Sequence, residues 1–269
     1  MDRIPCIILC YFDFEGIKKS LQFFSKFKDK LFLIVVENPS KYTEEKIKPF
    51  ILDLVKKNKI DSYFLMDENI GLNAVEMLLN KNIYNWTSAK YIINAEGDIS
   101  CKTKTWIKEE LNILEKYQNV LACGLGADLE SFKKFDSRGA YWYPEPTSDK
   151  GEYFEALTGG GHAVMWRVPE MKDFLKYIKN HNYKFLDNYM HPYALMQGKH
   201  WARSKKNLIE HFSWNYQLMD NHEYHNIKKT IPWTELFHHD KYCNYKLHIL
   251  FDGDVAVFDE PAYTGPCII

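Results

Sequence analysis

The chain has 269 residues, of which 46% are hydrophobic and 26% charged, a composition typical of a soluble globular protein rather than a disordered one. Its formal net charge is −1, with acids and bases mixed along the chain, which argues against a nucleic-acid-binding protein that relies on a broad basic face. None of the six cysteines forms a Cys-x-x-Cys pair, which favours free thiols in a reducing compartment. The N-terminal residues do not resemble a signal peptide and no run approaches the ~18 apolar residues of a membrane span, so we expect a cytoplasmic protein without a transmembrane segment.

Apolar runs typical of buried strands alternate with amphipathic helical patterns in the first half of the chain. The predicted elements are, in order, a strand from Ile4 to Phe12, a helix through Ile17, Leu21 and Phe24, a strand from Leu31 to Val36, a helix opened by Thr43, a strand from Ser62 to Met66, a helix from Leu72 to Asn80, a strand from Tyr91 to Ala95, a helix from Thr103 to Tyr117 and a strand from Val120 to Cys123. This alternation predicts an α/β fold with a mostly parallel central sheet flanked by helices.

Two carboxylates follow the fourth predicted strand, in the sequence Glu96-Gly97-Asp98. Residues two apart along an extended chain point to the same side, so we expect both acids to face one way. Paired oxygen donors of this kind suit Mg²⁺ or Mn²⁺, although an acid-glycine-acid sequence is also common in ordinary turns. Polar residues follow the first three predicted strands as well. Because ligands of parallel α/β sheets bind beyond the carboxyl ends of the strands, this pattern favours a binding site.

The second half of the chain is less regular. Residues 124–153 have no clear period and are rich in aromatic residues and proline, which is typical of a lid or binding loop. Further elements predicted in order are a glycine-rich turn at residues 158–161 that leads into a strand, a helix from Pro169 to Asn180, a short polar interruption at residues 185–189 before Pro192 to Gly198, and a strand from Lys206 to Phe212. We interpret the aperiodic residues from 215 onward as a tail that wraps the domain.

In order and spacing, these motifs resemble those of GT-A nucleotide-sugar glycosyltransferases, most closely the inverting family 2 type, over residues 4 to 213. The resemblance implies a GT-A (Rossmann-like) fold with an irregular acceptor-side region and a C-terminal tail. In that family a tyrosine after the first strand stacks on the base, an acid after the second contacts the uracil or ribose, an Asn-x-Gly segment lines the nucleotide pocket, and a glycine-rich loop lies near the donor sugar. The matching positions here are Tyr11, Glu37, Asn69, Gly71, Gly159, Gly160 and Gly161.

The resemblance also implies a metal site. The Asp-x-Asp motif of the family matches Glu96-Gly97-Asp98, with the first acid changed to Glu. Asp98 is then the expected ligand of Mn²⁺ or Mg²⁺, and Glu96 reaches the ion directly, contacts a metal-bound water or binds the ribose. A late histidine of the family joins the metal shell, and His211 matches it. An imidazole ligand suits Mn²⁺ better than Mg²⁺.

A catalytic base completes the resemblance. In the family it is an acid that opens a helix, and Asp187 matches it, although the usual Glu-Asp pair is here replaced by Asp187-Asn188. The implied reaction is the metal-dependent, inverting transfer of a sugar from a nucleotide sugar, with a UDP-sugar as the expected donor, to a hydroxyl of a glycan or another acceptor. The implied domain spans residues 1–214, with a nucleotide-binding half up to residue 123, an acceptor half from residue 124 and an extension over residues 215–269 packed on the same domain.

Two other functions stay open at this point. A sugar-phosphate nucleotidyltransferase shares the α/β core but carries a glycine-rich, basic loop after its first strand, which Tyr11-Phe12-Asp13 does not provide. A non-catalytic nucleotide- or carbohydrate-binding module keeps the fold without turnover, and the Glu at position 96 favours it. Individual residues also have structural alternatives, since Tyr11 and His211 fit a packed core and Asp187 fits a helix cap.

Overall fold

A computed structural model of the chain describes residues 3–126, 148–156, 162–183, 187–213, 222–230, 242–263 and 265. The strands are β1 (Ile4–Tyr11), β2 (Leu31–Asn38), β3 (Ser62–Met66), β4 (Tyr91–Glu96), β5 (Ile99–Cys101), β6 (Val120–Gly126), β7 (Ser148–Asp149), β8 (Tyr153–Ala156), β9 (Val164–Arg167), β10 (His200–His211), β11 (Tyr245–Phe251) and β12 (Asp254–Glu260). The α-helices are α1 (Phe14–Phe24), α2 (Lys48–Lys56), α3 (Asn73–Asn80), α4 (Trp106–Lys116), α5 (Val168–Asn180), α6 (Asp187–Met196) and α7 (Glu223–Thr230). Short 3-10 turns cover Ser25–Phe27 and Ile83–Ser88, and a π-helical turn, Thr43–Ile47, leads into α2.

The strands form one sheet in the order β12-β11-β3-β2-β1-β4-β9-β6-β10-β8-β7, and β5 pairs with β10 off this path. β1 is parallel to β2 and β4, β2 is parallel to β3, and β6 is parallel to β10. β9 is antiparallel to both β4 and β6, so those two strands point the same way. The central strands β1, β2, β3, β4, β6 and β10 therefore share one direction and bring their ends to one side of the sheet, called the carboxyl edge below. The predicted α/β fold with a mostly parallel central sheet is confirmed.

Helices cover both faces of the sheet, because the buried strands are apolar on both sides. One core contains the apolar stripes of α1, α2 and α4, including Ile17, Leu21 and Phe24 as the helical period predicted. The second core lies on the opposite face and contains α3, α5 and α6, with Phe174 packed between Trp166 and Tyr193. This arrangement leaves the carboxyl edge as the place where loops and polar side chains gather.

Several boundaries differ from those predicted. α6 begins at Asp187, the acid that the resemblance places at the start of a helix, and Pro192 lies inside it. β10 begins at His200, six residues before the predicted strand, and its pairing with β6 shifts register between Arg203 and Leu208, where Lys205 and Lys206 interrupt the apolar pattern. The aperiodic tail contains a hairpin, β11 and β12, which extends the sheet beside β3. Its strands were missed because only one face is covered and several of its apolar side chains are exposed.

Cys6, Cys10, Cys101, Cys123 and Cys243 are buried free thiols. Buried and unpaired, these cysteines pack as small apolar residues. None of the helices in the described segments has both the length and the apolar content that crossing a bilayer requires.

Two adjacent glutamates of α4 have opposite surroundings. Glu109 accepts hydrogen bonds from Ser204 at 2.5 Å and from the side-chain amide of Asn207, which ties α4 to β10. Glu110 is fully buried, and its carboxylate oxygens have no hydrogen-bond partner among the described residues. Burial raises the pKa of Glu110 well above its usual value, and Glu109 and Cys101 add to the effect, so the neutral acid is favoured.

Replacing Glu110 with Met should therefore stabilise the protein. A buried polar group without a partner costs about 1–3 kcal/mol, and Met fills a similar volume without that cost. We expect the free energy of unfolding at pH 7, measured by urea denaturation, to rise by about this amount in Glu110→Met. Glu109→Met is the matched control on the same helix and should lose stability, because it removes the bonds to Ser204 and Asn207. Equal losses in the two variants would contradict the assignment of Glu110 as an unpaired acid.

Candidate metal and nucleotide site

The acidic motif after β4 is fixed to the end of β1 by a close backbone approach. The Gly97 N–H donates to the Leu9 carbonyl oxygen at 2.7 Å. A Cβ atom at position 97 would lie 2.7 Å from both that oxygen and the Cys10 sulfur. Glycine is needed at position 97 because any side chain there would collide with β1.

On its other side the same motif is tied to β10. β5, which follows Asp98, pairs antiparallel with the end of β10, so that Ile99 faces His211. The Phe212 N–H donates to the Asp98 carbonyl oxygen at 2.8 Å. These bonds bring His211, which is more than 100 positions away in sequence, beside the two acids.

Glu96, His162 and His211 each offer one possible metal-ligand atom, and these atoms lie within 4.8 Å of one another. The Glu96 Oε2 atom is 3.1 Å from His211 Nε2 and 3.7 Å from His162 Nε2. The two imidazole rings meet edge to face at 5.5 Å between centroids. Both histidines are buried, while the Glu96 side chain is 39% exposed, so the cluster is open to solvent on the side of Glu96.

Asp98 lies at the opposite nitrogen of His211. Its Oδ2 atom is 3.6 Å from His211 Nδ1, and the Ser213 hydroxyl lies 3.2 Å from the same nitrogen. The structure thus brings together the three residues that the sequence predicted as metal ligands, Glu96, Asp98 and His211. It places the two acids at different nitrogens of the imidazole.

Burial lowers the pKa of His162 to about 4. The nearby acids Glu96 and Asp98 act in the opposite direction, and His211 adds to the lowering. His162 is therefore neutral at physiological pH, and a neutral imidazole has the lone pair that a metal ion or a hydrogen-bond donor requires.

A second group of predicted residues gathers at the ends of β1 and β3. The Asn69 side chain is hydrogen-bonded to the hydroxyl of the half-buried Tyr11, and its carbonyl oxygen accepts the Gly71 N–H at 3.0 Å. Gly71 has a φ of 55°, in the left-handed region that favours glycine. The Asn38 side chain at the end of β2 holds this loop. Its Nδ2 donates to the Gly71 carbonyl oxygen at 2.9 Å, and its Oδ1 accepts from the Ile70 N–H at 3.0 Å. Tyr11, Asn69 and Gly71 thus form one connected structure.

Glu37 lies apart from this group. Its side chain is fully buried at the end of β2, where it accepts hydrogen bonds from Thr43 at 2.6 Å and from the Tyr63 hydroxyl. Burial raises the pKa of Glu37 to about 7, and the two hydrogen bonds act against the increase. These contacts fix the π-helical turn to the sheet, which is a structural role that the strand-end position alone did not indicate.

An aromatic cluster built partly from α7 covers the sheet beside Tyr11. Phe12 has a φ of 61° and stacks on Tyr224 at 5.7 Å between centroids, while its edge meets Tyr42 at 5.2 Å. The Glu223 carboxylate accepts hydrogen bonds from Tyr42 and Lys41 and so attaches the start of α7 to the loop after β2. The sequence contained no periodic signal for this contact.

The remaining predicted residues are described in part or not at all. Asp187 is the first residue of α6, but its side chain lies outside the described part. Gly159, Gly160 and Gly161 lie outside the described residues. His162, which directly follows these glycines, is the site residue that the sequence analysis did not single out. Its signal is a histidine placed between a glycine run and a buried apolar strand.

No protein-family model matches this chain. It is similar to three proteins of Acanthamoeba polyphaga mimivirus. The uncharacterized protein L137 is 32% identical over 228 residues, which are 83% of this chain and 31% of that protein. The uncharacterized protein L142 is 32% identical over 84% of this chain and 47% of its own length, and the uncharacterized protein L138 is 28% identical over 91% and 28%. The chain thus spans less than half the length of these relatives.

Among solved structures, the chain is similar to GalNAc-T7 crystallised with UDP, GalNAc and Mn²⁺, with a TM-score of 0.49 and 8% identity over 77% of this chain and 43% of that one. It is also similar to mannosyl-3-phosphoglycerate synthase from Rubrobacter xylanophilus, with a TM-score of 0.37 and 8% identity over 97% of this chain and 87% of that one. Both are distant likenesses.

The raised pKa of Glu37 predicts a specific pH dependence of stability. A carboxyl whose pKa is about 7 in the folded state and near 4.5 when unfolded binds its proton more tightly in the folded state. Its contribution is fully present below about pH 4.5 and is lost as the pH rises to about 7. We expect Glu37→Gln, which stays neutral and keeps one of the two acceptor oxygens used by Thr43 and Tyr63, to gain up to about 3 kcal/mol relative to wild type between these pH values.

Urea denaturation at several pH values measures this difference. Glu44→Gln is the control, because Glu44 is an exposed acid of the same π-helical turn that pairs with Lys48. A difference between Glu37→Gln and wild type that stays constant from pH 4.5 to 7 would contradict the raised pKa.

Proposed function

We propose that this chain is a metal-dependent, inverting glycosyltransferase that transfers a sugar from a nucleotide sugar, a UDP-sugar in the first instance, to a hydroxyl of a glycan or another acceptor. The observation that carries the proposal is the convergence of Glu96, His162, His211 and Asp98 at the carboxyl edge, next to the Tyr11–Asn69–Gly71 loop structure. Ligands of parallel α/β sheets bind at this edge. A metal-binding cluster suits the diphosphate of a nucleoside diphosphate, and the neighbouring Tyr11 ring and Asn69 amide suit its nucleoside.

The donor set fits a divalent ion. A carboxylate and two imidazoles are good ligands of Mn²⁺, and the described atoms are close enough to share one ion. When bound, the ion would neutralise the negative charge that develops on the diphosphate as its bond to the sugar breaks. Glu96, the most exposed member, lies where it can also contact a ribose or a metal-bound water.

The nucleotide end is proposed at Tyr11. Its ring is half-buried and its hydroxyl is held by Asn69, so it is oriented before any ligand arrives. Such a preorganised ring stacks on a base at little entropic cost. Gly71 lets the loop approach without a side chain in the way.

Asp187 is proposed as the general base. In a single displacement the acceptor oxygen attacks the anomeric carbon, the bond from that carbon to the diphosphate oxygen breaks, and the hydroxyl proton passes to the Asp187 carboxylate. β9 runs away from the carboxyl edge, and α5 runs back toward it. α6 follows α5 and leads to β10, which begins at the opposite edge of the sheet, where His200 pairs with Val120. A start of α6 near the carboxyl edge agrees with this path and with the proposed role.

The reaction is tested by release of UDP from a panel of UDP-sugars, with and without Mn²⁺, in the presence of glycan acceptors. We expect metal-dependent transfer in the wild type and a loss of at least about 100-fold in Asp187→Asn, with donor binding retained. Asp173→Asn, an exposed acid on α5, is the control that should stay active. Nucleotide binding without any transfer or hydrolysis would instead indicate a binding module, and the absence of both would refute the proposal.

The nucleotide pocket is tested separately by Tyr11→Leu. Loss of one stacking ring is worth about 1–3 kcal/mol, so the dissociation constant of UDP should rise roughly tenfold or more. Isothermal titration measures this in the presence of Mn²⁺. Tyr84→Leu, at an exposed tyrosine packed on Phe32, is the control and should bind UDP like the wild type. Unchanged affinity in Tyr11→Leu would place the base elsewhere.

A further inference from the structure

The metal ligands can be assigned more closely than the acidic motif suggests. Nitrogen and oxygen ligands lie about 2.0–2.2 Å from ions such as Zn²⁺, so two ligands of one ion are at most about 4.4 Å apart. The Glu96 Oε2 atom already lies 3.1 Å from His211 Nε2 and 3.7 Å from His162 Nε2. These three atoms need only small shifts to share an ion.

His211 has a different partner at each of its two ring nitrogens. Nε2 faces Glu96, whereas Nδ1 faces Asp98 at 3.6 Å and Ser213 at 3.2 Å. A histidine that binds metal through one nitrogen carries a proton on the other, and that N–H is usually held by a carboxylate or another acceptor. Ser213 is within hydrogen-bond distance of Nδ1, and the Asp98 carboxylate, at 3.6 Å, would accept the N–H after an approach of about 0.5 Å.

Backbone contacts position the segment at His162. Its carbonyl oxygen accepts the Leu125 N–H at 3.0 Å, which fixes the backbone to the end of β6. The next residue, Ala163, is fully buried with a φ of 52°, a left-handed conformation that costs a residue other than glycine about 1–2 kcal/mol. Such local strain persists where the surrounding structure imposes it, and it is concentrated at functional sites.

We propose that Glu96, His162 and His211 are the protein ligands of the divalent ion, and that Asp98 is a positioning residue that orients His211 through Nδ1. The assignment rests on the proposed function in one respect, because it assumes that this ion is the one that binds the nucleotide sugar. It replaces the acid pair expected from the motif by one acid and two imidazoles. His162 directly precedes β9, the strand that lies between β4 and β6, so this ligand set includes a residue from a third segment of the chain.

This ligand set determines which ions bind. Two imidazoles favour transition-metal ions, with Zn²⁺ bound more tightly than Mn²⁺, and they disfavour Mg²⁺, which prefers oxygen ligands and gives up water reluctantly. We expect Mn²⁺ to bind in the absence of any nucleotide and Mg²⁺ in roughly hundredfold excess not to displace it.

The test measures Mn²⁺ binding without nucleotide sugar, by isothermal titration and by electron spin echo spectroscopy of the bound ion. Wild-type protein should show two directly coordinated imidazole nitrogens. His162→Gln should show one nitrogen and an affinity reduced more than about 100-fold, beyond the range of an outer-shell change. Asp98→Asn should keep both nitrogens and lose only about 10–100-fold in affinity.

His248→Gln is the matched control, since His248 is an equally buried histidine that stacks on Tyr63 away from the cluster. Thermal unfolding of each variant without metal checks that it folds. The nitrogen count of the wild type needs no variant, so the test remains decisive if His162→Gln does not fold. One coordinated nitrogen in the wild type, unchanged Mn²⁺ affinity in His162→Gln, or displacement by Mg²⁺ would overturn the assignment.

The outcome is separate from that of the glycosyltransferase proposal. Mn²⁺ bound by two imidazoles in a protein that transfers no sugar would retain this ligand set and reject the proposed reaction. Sugar transfer that runs equally well with Mg²⁺ and in His162→Gln would retain the reaction and reject the ligand set.

Discussion

The candidate site depends on one close contact between neighbouring strands. The Gly97 N–H bonds to the Leu9 carbonyl at a spacing that leaves no room for a Cβ atom. This contact turns the chain as it leaves β4, so that β5 can pair with β10 and bring His211 beside Glu96. A side chain at position 97 would force β4 away from β1 and would separate the two acids from the histidine at the same time.

β1 also sets the spacing between the two halves of the site. Tyr11 lies two residues beyond Leu9, which is roughly 7 Å along an extended strand. The aromatic ring proposed for the base and the cluster proposed for the metal are therefore attached to one buried strand, which is hydrogen-bonded on both sides. A rigid central strand holds both groups at a fixed distance without using flexible loops, as a preorganised site requires.

The sequence predicted those parts whose residue pattern repeats or whose order along the chain is fixed. The apolar strands and the stripe of Ile17, Leu21 and Phe24 follow from periodicity, and the carboxyl edge follows from parallel strand direction. The hairpin of β11 and β12 has no such pattern, and the contact of Tyr224 with Phe12 joins segments more than 200 positions apart. Pairings of this kind arise from tertiary packing and leave no local signal.

His162 shows that local sequence also fails to reveal some candidate site residues. Its sequence neighbours are glycines and an apolar strand, which by themselves indicate only a turn. Its meaning arises because β9 enters the sheet antiparallel between β4 and β6, so that its first residues, and not its last, lie at the carboxyl edge. The antiparallel β9 thus brings His162, the third proposed ligand, to an edge where the other site residues follow the ends of parallel strands. The acid at position 98 can then orient a histidine where the motif alone suggested a direct contact with the ion.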